Sequence, residues 1–209
     1  MTSNKEQLIL EAALKLFKEK GFSAVKINDI AKEAGVGKGT IYEYYSSKEE
    51  LLLKACCSVC SKLDEKVEAV FQTENIDNPV KIIYFSLTTV LTELLNKGAA
   101  ENKLFHEMLS LSHGKPELRV QMQQEFKKKI NQWREYSLLD YQRGLDAGLF
   151  RYIEKPQDLA EFIVATIDGL IWQMQWQDEE KLQDQAHRMA SVYCQLLLKD
   201  PTTLGDLLK

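Results

Sequence analysis

Two runs of apolar residues at helical spacing, separated by three residues, constrain this chain more than any other feature. Ile27, Ile30, Ala31 and Ala34 fall on one face of a helix. After Gly35-Val36-Gly37 the pattern restarts at Lys38 and puts Ile41 and Tyr45 together on an inward face. Two short helices joined by so tight a glycine-containing turn form a helix-turn-helix. Ala31 is small where the helices must cross, Gly35 can take a positive φ, and Val36 can fill the gap between them. A helix over about 3–20 precedes the unit, with Ile9, Ala12, Ala13, Leu16 and Phe17 on its buried face and Gly21 as its stop.

The same periodicity continues to the end of the chain. With only 10 glycines and 4 prolines, long helices are favoured and an all-β fold is excluded. Ser47 followed by Glu50 reads as a capping box that opens a helix running to about 71. Further helices are expected over about 79–96, 100–112, 116–147, 156–177 and 179–199, with Gly98 breaking the first pair apart. The expected fold is all-α, of about nine helices. Residues 1–50 form a helix-turn-helix domain, with the reading helix at about 38–45, and residues 51–209 form a larger helical domain.

No secretory signal is legible, and no run approaches the roughly 18 apolar residues of a membrane span, so a cytoplasmic protein with no membrane partner is expected. The net charge is −4, yet residues 1–50 are neutral and the rest of the chain carries the whole excess. Cys56, Cys57, Cys60 and Cys194 do not make a disulfide framework in such a compartment. Cys56 and Cys60, one turn apart, leave a thiol-based redox regulator as an alternative, though small core residues are the simpler reading. His106, His113 and His187 share no ligand spacing, so neither a metal nor a cofactor is expected. No nucleophile–base pair, carboxylate dyad or phosphate loop is present, so no enzyme is expected. An all-α carrier or enzyme remains the rival, and salt-dependent, sequence-selective DNA binding separates the two.

On the helix from Lys38, Glu43 lies opposite the buried face, Gly39 and Thr40 lie near it, and Tyr42 and Tyr44 flank it. Small residues let a backbone approach DNA, and Thr can bond a base or touch a thymine methyl. Phenols and lysines at the rim suit phosphate oxygens. Lys26, Lys38 and Lys48 each lie near a helix start, where free N–H groups already favour an anion. Asn28 and Gly37 complete the candidate DNA-contacting set. No arginine precedes Arg119, so the bidentate Arg–guanine contact is absent from this module. Readout is therefore expected through Lys38, Thr40, Glu43 and Tyr44, helped by DNA shape.

The stretch Ile30-Ala31-x-x-Ala34-Gly35-Val36-x-Lys38-Gly39-Thr40-Ile41-Tyr42-x-Tyr44-Tyr45-x-Ser47-Lys48-x-x-Leu51, with the preceding Gly21-Phe22, resembles the TetR family of bacterial repressors over about the first 55 residues. The resemblance implies Tyr42 and Lys48 as phosphate contacts, 38–44 as the base-reading segment and Tyr45 as a core position. It also implies a homodimer that binds a near-palindromic operator in double-stranded DNA and answers to a small-molecule effector. The chain departs from the family pattern at Lys26 and Gly37, where a capping oxygen is usual.

The larger domain offers two candidate surfaces. Phe85, Phe105, His106, Met108, Trp133, Arg134, Tyr136, Tyr141 and Trp172 are candidates to line an effector pocket, with Glu107 as a further polar fixture. The 156–177 helix is apolar around much of its circumference, which requires burial on two sides. Phe162, Ile163, Thr166, Ile167, Gly169, Leu170 and Met174, with Ala186, Met189 and Tyr193 of the last helix, are the candidate dimer interface.

Overall fold

All four prolines open helical elements. Pro79, Pro116 and Pro156 each stand first in a helix, and Pro201 begins a 3-10 turn. At that position the missing N–H costs nothing and the fixed φ suits the helix. No proline interrupts a helix interior, which is why the chain sustains helices of 31 and 36 residues.

A computed structural model describes residues 4–74, 77–173 and 179–209. Its helices are α1 (Asn4–Lys20), α2 (Ile27–Glu33), α3 (Lys38–Tyr44), α4 (Lys48–Glu74), α5 (Pro79–Gly114), α6 (Pro116–Asp146), α7 (Pro156–Gln173), α8 (Glu179–Leu197) and α9 (Leu204–Leu207). The chain is all-α, and no strand forms among the described residues beyond a single antiparallel bridge between Phe150 and Leu198. The expected break at Gly98 does not occur: α5 runs through it. An interior glycine costs about 1 kcal/mol relative to alanine, too little on its own to end so long a helix. At the other end, Asp200-Pro201 does stop α8, but it also starts new structure. The Asp200 carboxylate accepts from the Thr202 N–H at 3.0 Å and leads into α9, which the sequence reading missed.

The chain divides into two compact units, residues 1–62 with 99–127 and residues 63–98 with 128–209. Packing thus draws its line differently from the motif-based division at residue 50. The core of the first unit holds Ile9, Ala12, Ala13, Leu16 and Phe17 of α1, all buried as their spacing predicts. Onto them pack Ile30 and Ala31 of α2, Ile41 of α3, Leu51, Leu52, Leu53 and Cys56 of α4, and Leu104, Met108 and Leu118. The second core joins Val80, Ile83, Leu87 and Leu91 of α5 to Tyr141, Phe150, the inner face of α7 and Ala190, Tyr193, Cys194 and Leu197 of α8. Along α6, Met122 and Phe126 pack on the first core, and Ile130 and Trp133 on the second.

Candidate nucleic-acid interface

The α2–α3 corner is built by backbone hydrogen bonds that only certain residues permit. Asp29 accepts from the Lys26 N–H at 3.0 Å, which caps the start of α2. The reciprocal half of a capping box is impossible, because the Lys26 ammonium has no lone pair to offer. At the far end the Val36 N–H bonds the Ala31 carbonyl at 3.0 Å and the Gly35 N–H bonds that of Lys32 at 3.3 Å. This crossed pair is a Schellman motif, and it needs a residue with positive φ just past the helix. Gly35 supplies it, at φ +66°. Val36, half-buried against the first core, makes the accompanying apolar contact. Gly37 then caps α3 through its carbonyl alone, accepting from the Thr40 N–H at 3.0 Å.

That corner orients α3. Ile41 is fully buried and Tyr45 nearly so, while Lys38, Gly39, Tyr42 and Glu43 are exposed. Lys26, Asn28 and Gly37 are exposed beside them. Thr40 and Tyr44 are half-buried; the Tyr44 ring leans on the first core, 6.4 Å from that of Tyr45. The Lys38 ammonium sits 5.9 Å from the Tyr42 ring centroid, so charge and phenol form one edge of the surface. A β-carbon added at Gly39 would meet nothing within 4 Å. The fold therefore leaves open space where this helix carries no side chain.

Lys48 is placed otherwise than expected. Its ammonium donates to the Phe22 carbonyl at 2.8 Å and the Val25 carbonyl at 2.9 Å, and lies 4.1 Å from the Phe22 ring centroid. Burial pushes its pKa below the ordinary lysine value, Lys115 pushes the same way, and Glu49 opposes them. Two of its three donors thus hold the loop between α1 and α2. Ser47 caps α4 by accepting from the Glu50 N–H at 3.0 Å, as the spacing predicts, but Glu50 turns back to Ser46 rather than Ser47. Between α1 and α2, Lys15 bonds Glu33 at 2.5 Å, which raises the lysine pKa and lowers the glutamate's.

The other candidate sets are scattered. Phe105, His106 and Met108 lie in the first unit, and Met108 is fully buried in its core against α1 and α4. Glu107 does not face a pocket either: it accepts from the Phe22 N–H at 2.9 Å. In the second unit Tyr141 is buried with its hydroxyl donating to the Arg151 carbonyl and accepting from the Ile153 N–H, so its one donor is already committed. Tyr136 and Trp172 are half exposed to solvent. Phe85 and Trp133 are half-buried; the Trp133 indole N–H donates to Asp64 at 3.1 Å. Arg134 reaches Glu161 on α7 at 3.6 Å and keeps its Nε buried without a partner.

Of the expected interface, Ile163, Ile167, Leu170, Ala186 and Tyr193 are buried in the chain's own second core. A stripe apolar on two sides spends one side internally. Phe162 and Gly169 are exposed, Thr166 and Met189 are half-buried, and Met174 lies outside the described residues. Val192 and Leu196 are exposed on α8, and Trp172, a pocket candidate, is exposed on α7. Cys56 and Cys194 are buried, which raises both thiol pKa values, that of Cys194 to about 12. Such thiols are poor nucleophiles, and nothing supports a redox role for them. No helix among the described residues is long and apolar enough to cross a membrane.

Residues 9–55 match a family model described as bacterial regulatory proteins, tetR family. The chain is 27% identical over 177 residues to YfiR of Bacillus subtilis, an uncharacterized HTH-type transcriptional regulator, covering 83% of this chain and 81% of that one. It is 53% identical to YuxN of the same organism, also an uncharacterized HTH-type regulator, but over 49 residues, 23% of this chain and 17% of YuxN. A TetR transcription regulator from Haloarcula marismortui superposes with a TM-score of 0.75 at 19% identity, covering 94% and 99% of the two chains. A transcriptional regulator from Saccharomonospora viridis, solved in complex with choline, superposes with a TM-score of 0.70 at 22% identity, covering 92% and 97%. The structural likenesses extend the shared fold over nearly the whole chain, and the sequence match falls on the helix-turn-helix itself. Residues 9–55 of this chain thus match the helix-turn-helix of the tetR family of bacterial regulatory proteins, and the chain as a whole shares the fold of the TetR regulator on which it superposes.

Proposed function

We propose that the chain acts as a homodimer that sets two copies of α3 in successive major grooves of a near-palindromic operator. Half-sites then lie about one helical turn apart, roughly 34–36 Å. The observation that carries this reading is the two-sidedness of α3: Ile41 and Tyr45 anchor it from below, while Lys38, Gly39, Tyr42 and Glu43 face outward with no protein over them. Lys38, Thr40 and Glu43 read base edges; Tyr42, Lys26, Asn28 and the Gly37 backbone hold phosphates. Tyr44 contributes its hydroxyl edge only, because its ring is tied to the core. Lys48 chiefly positions the α1–α2 loop and has one N–H left for a phosphate.

The dimer uses the outer faces of α7 and α8. Phe162, Gly169 and Trp172 recur at helical spacing on the former, Val192 and Leu196 on the latter, and exposed apolar groups so placed mark an association surface. A β-carbon at Gly169 would also meet nothing within 4 Å, which leaves room for a second helix to come close.

A small-molecule effector binds in the second unit, near Phe85, Trp133 and the unpartnered Nε of Arg134, and relieves repression by favouring an arrangement that does not fit the operator. The choline held by the Saccharomonospora viridis regulator supports a small molecule as the effector for this fold. The test is selection of an operator from random duplexes, followed by base-preference profiles of Lys38→Ala and Glu43→Ala. The reading predicts relaxed preference at one or two positions per half-site. Unchanged preference at every position overturns it.

A further inference from the structure

The loop between α1 and α2 is gripped from two sides by charged groups, one from α4 and one from α5. Glu107 of α5 places Oε2 2.9 Å from the Phe22 N, and its Oε1 lies 3.2 Å from where a β-carbon on Gly21 would stand. Gly21 has φ +79°, which disfavours a side chain, and a β-carbon there would press the Glu107 carboxylate aside by a few tenths of an ångström. Lys48 of α4 holds the carbonyls of the same Phe22 and of Val25. The Phe22 ring is buried beneath the lysine, 5.5 Å from the Phe17 ring. One residue thus has its N–H bound by an acid, its C=O by an ammonium and its ring by both α1 and Lys48.

Both charges do work that a buried apolar contact cannot. A charge-assisted hydrogen bond to a carboxylate is short and directional, so it fixes the position of the loop and not merely its burial. The partner is 85 residues away in sequence. Leu104 and Met108, flanking Glu107 on α5, lie in the same core as α1. Glu107 therefore ties the entrance of the helix-turn-helix to the register of α5, and α5 also carries the chain into the second unit.

We propose that Glu107 is a positioning residue for operator binding: its carboxylate on the Phe22 N–H sets the orientation of the helix-turn-helix and so the half-site spacing that the protein accepts. The proposal rests on the dimeric DNA-binding reading given above and adds the residue that holds the reading helix at its angle.

The experiment uses the full chain and an operator selected with it, with the spacer then lengthened or shortened by one and two base pairs. The wild-type protein loses at least tenfold in affinity at each altered spacing. Glu107→Ala loses affinity at the native spacing and little at the others, so that the profile flattens to within about threefold. Glu107→Gln, whose amide oxygen still accepts from Phe22, keeps the wild-type profile. If Glu107→Ala does not fold, Glu107→Asp, which withdraws the carboxylate by one methylene, is read in its place. A merely structural role would lower affinity equally at every spacing, and that result, or an unchanged profile, overturns the proposal. A Glu107→Gln variant that behaves like Glu107→Ala also overturns it. A wild-type protein indifferent to spacing would instead defeat the dimeric reading on which the proposal stands.

Discussion

A β-carbon built on Gly144 would fall inside the Phe150 ring, whereas one built on Gly39 or Gly169 would touch nothing. These three helical glycines therefore exist for different reasons. Phe150 is fully buried and cannot withdraw, so Gly144→Ala should cost about 1–3 kcal/mol of stability, as overpacking does; thermal unfolding measures it. At Gly39 and Gly169 the fold gains nothing from the missing side chain. Tyr45 carries a different kind of signal. Its hydroxyl is buried without a hydrogen-bond partner, and burial raises its pKa, with Glu6 and Glu50 adding repulsion. Removing an unsatisfied polar group is neutral or favourable, so Tyr45→Phe should leave the melting temperature unchanged or raise it. A clear fall would mean that the hydroxyl has a partner after all.

At the scale of the elements, ion pairs join segments that apolar spacing alone would not bring together. Lys115, at the corner of α5 and α6, bonds Glu49 in the first turn of α4. The bond lowers the Glu49 pKa below its ordinary 4.5, against the opposing effect of burial. An acid with a depressed folded-state pKa contributes stability that is present above the unfolded value and lost as pH falls through the folded one. The contribution of this pair should therefore be full above about pH 4.5 and fade as pH falls from there through the lower folded-state pKa, and Glu49→Gln should flatten that part of the stability–pH curve. A curve identical to that of the wild type would contradict the assignment.

The sequence made the α1 face and the α2–α3 turn legible because each is a local pattern of spacing. The Glu107–Phe22 bond and the Lys48 clasp were not legible: their partners lie 85 and 26 residues apart, and no periodicity encodes a distant hydrogen bond. Gly98 misled for the opposite reason, since local propensity overstated a break that the rest of α5 overrides. The pocket residues were opaque because large apolar and aromatic side chains look alike in a sequence whether they fill a core, as Met108 and Tyr141 do, or a cavity.

For the whole molecule, the apolar residues of α7 and α8 divide between an inner set that fills the second core and an outer set of Phe162, Trp172, Val192 and Leu196 that the protomer leaves exposed. The outer set should be the dimer surface. Phe162→Glu with Val192→Glu should give a folded monomer by sedimentation and reduce operator affinity by at least tenfold, whereas a dimer that survives both changes places the interface elsewhere.

If the outward face of α3 is kept for DNA, a side chain added at Gly39 should hinder binding without harming the fold. Gln is a far better helix former than Gly, by up to about 1 kcal/mol, and the space at Gly39 is open. Gly39→Gln, measured side by side for thermal unfolding and for affinity to the selected operator, should hold or gain stability and lose at least tenfold in binding. Undiminished affinity in a variant that folds normally would contradict the account.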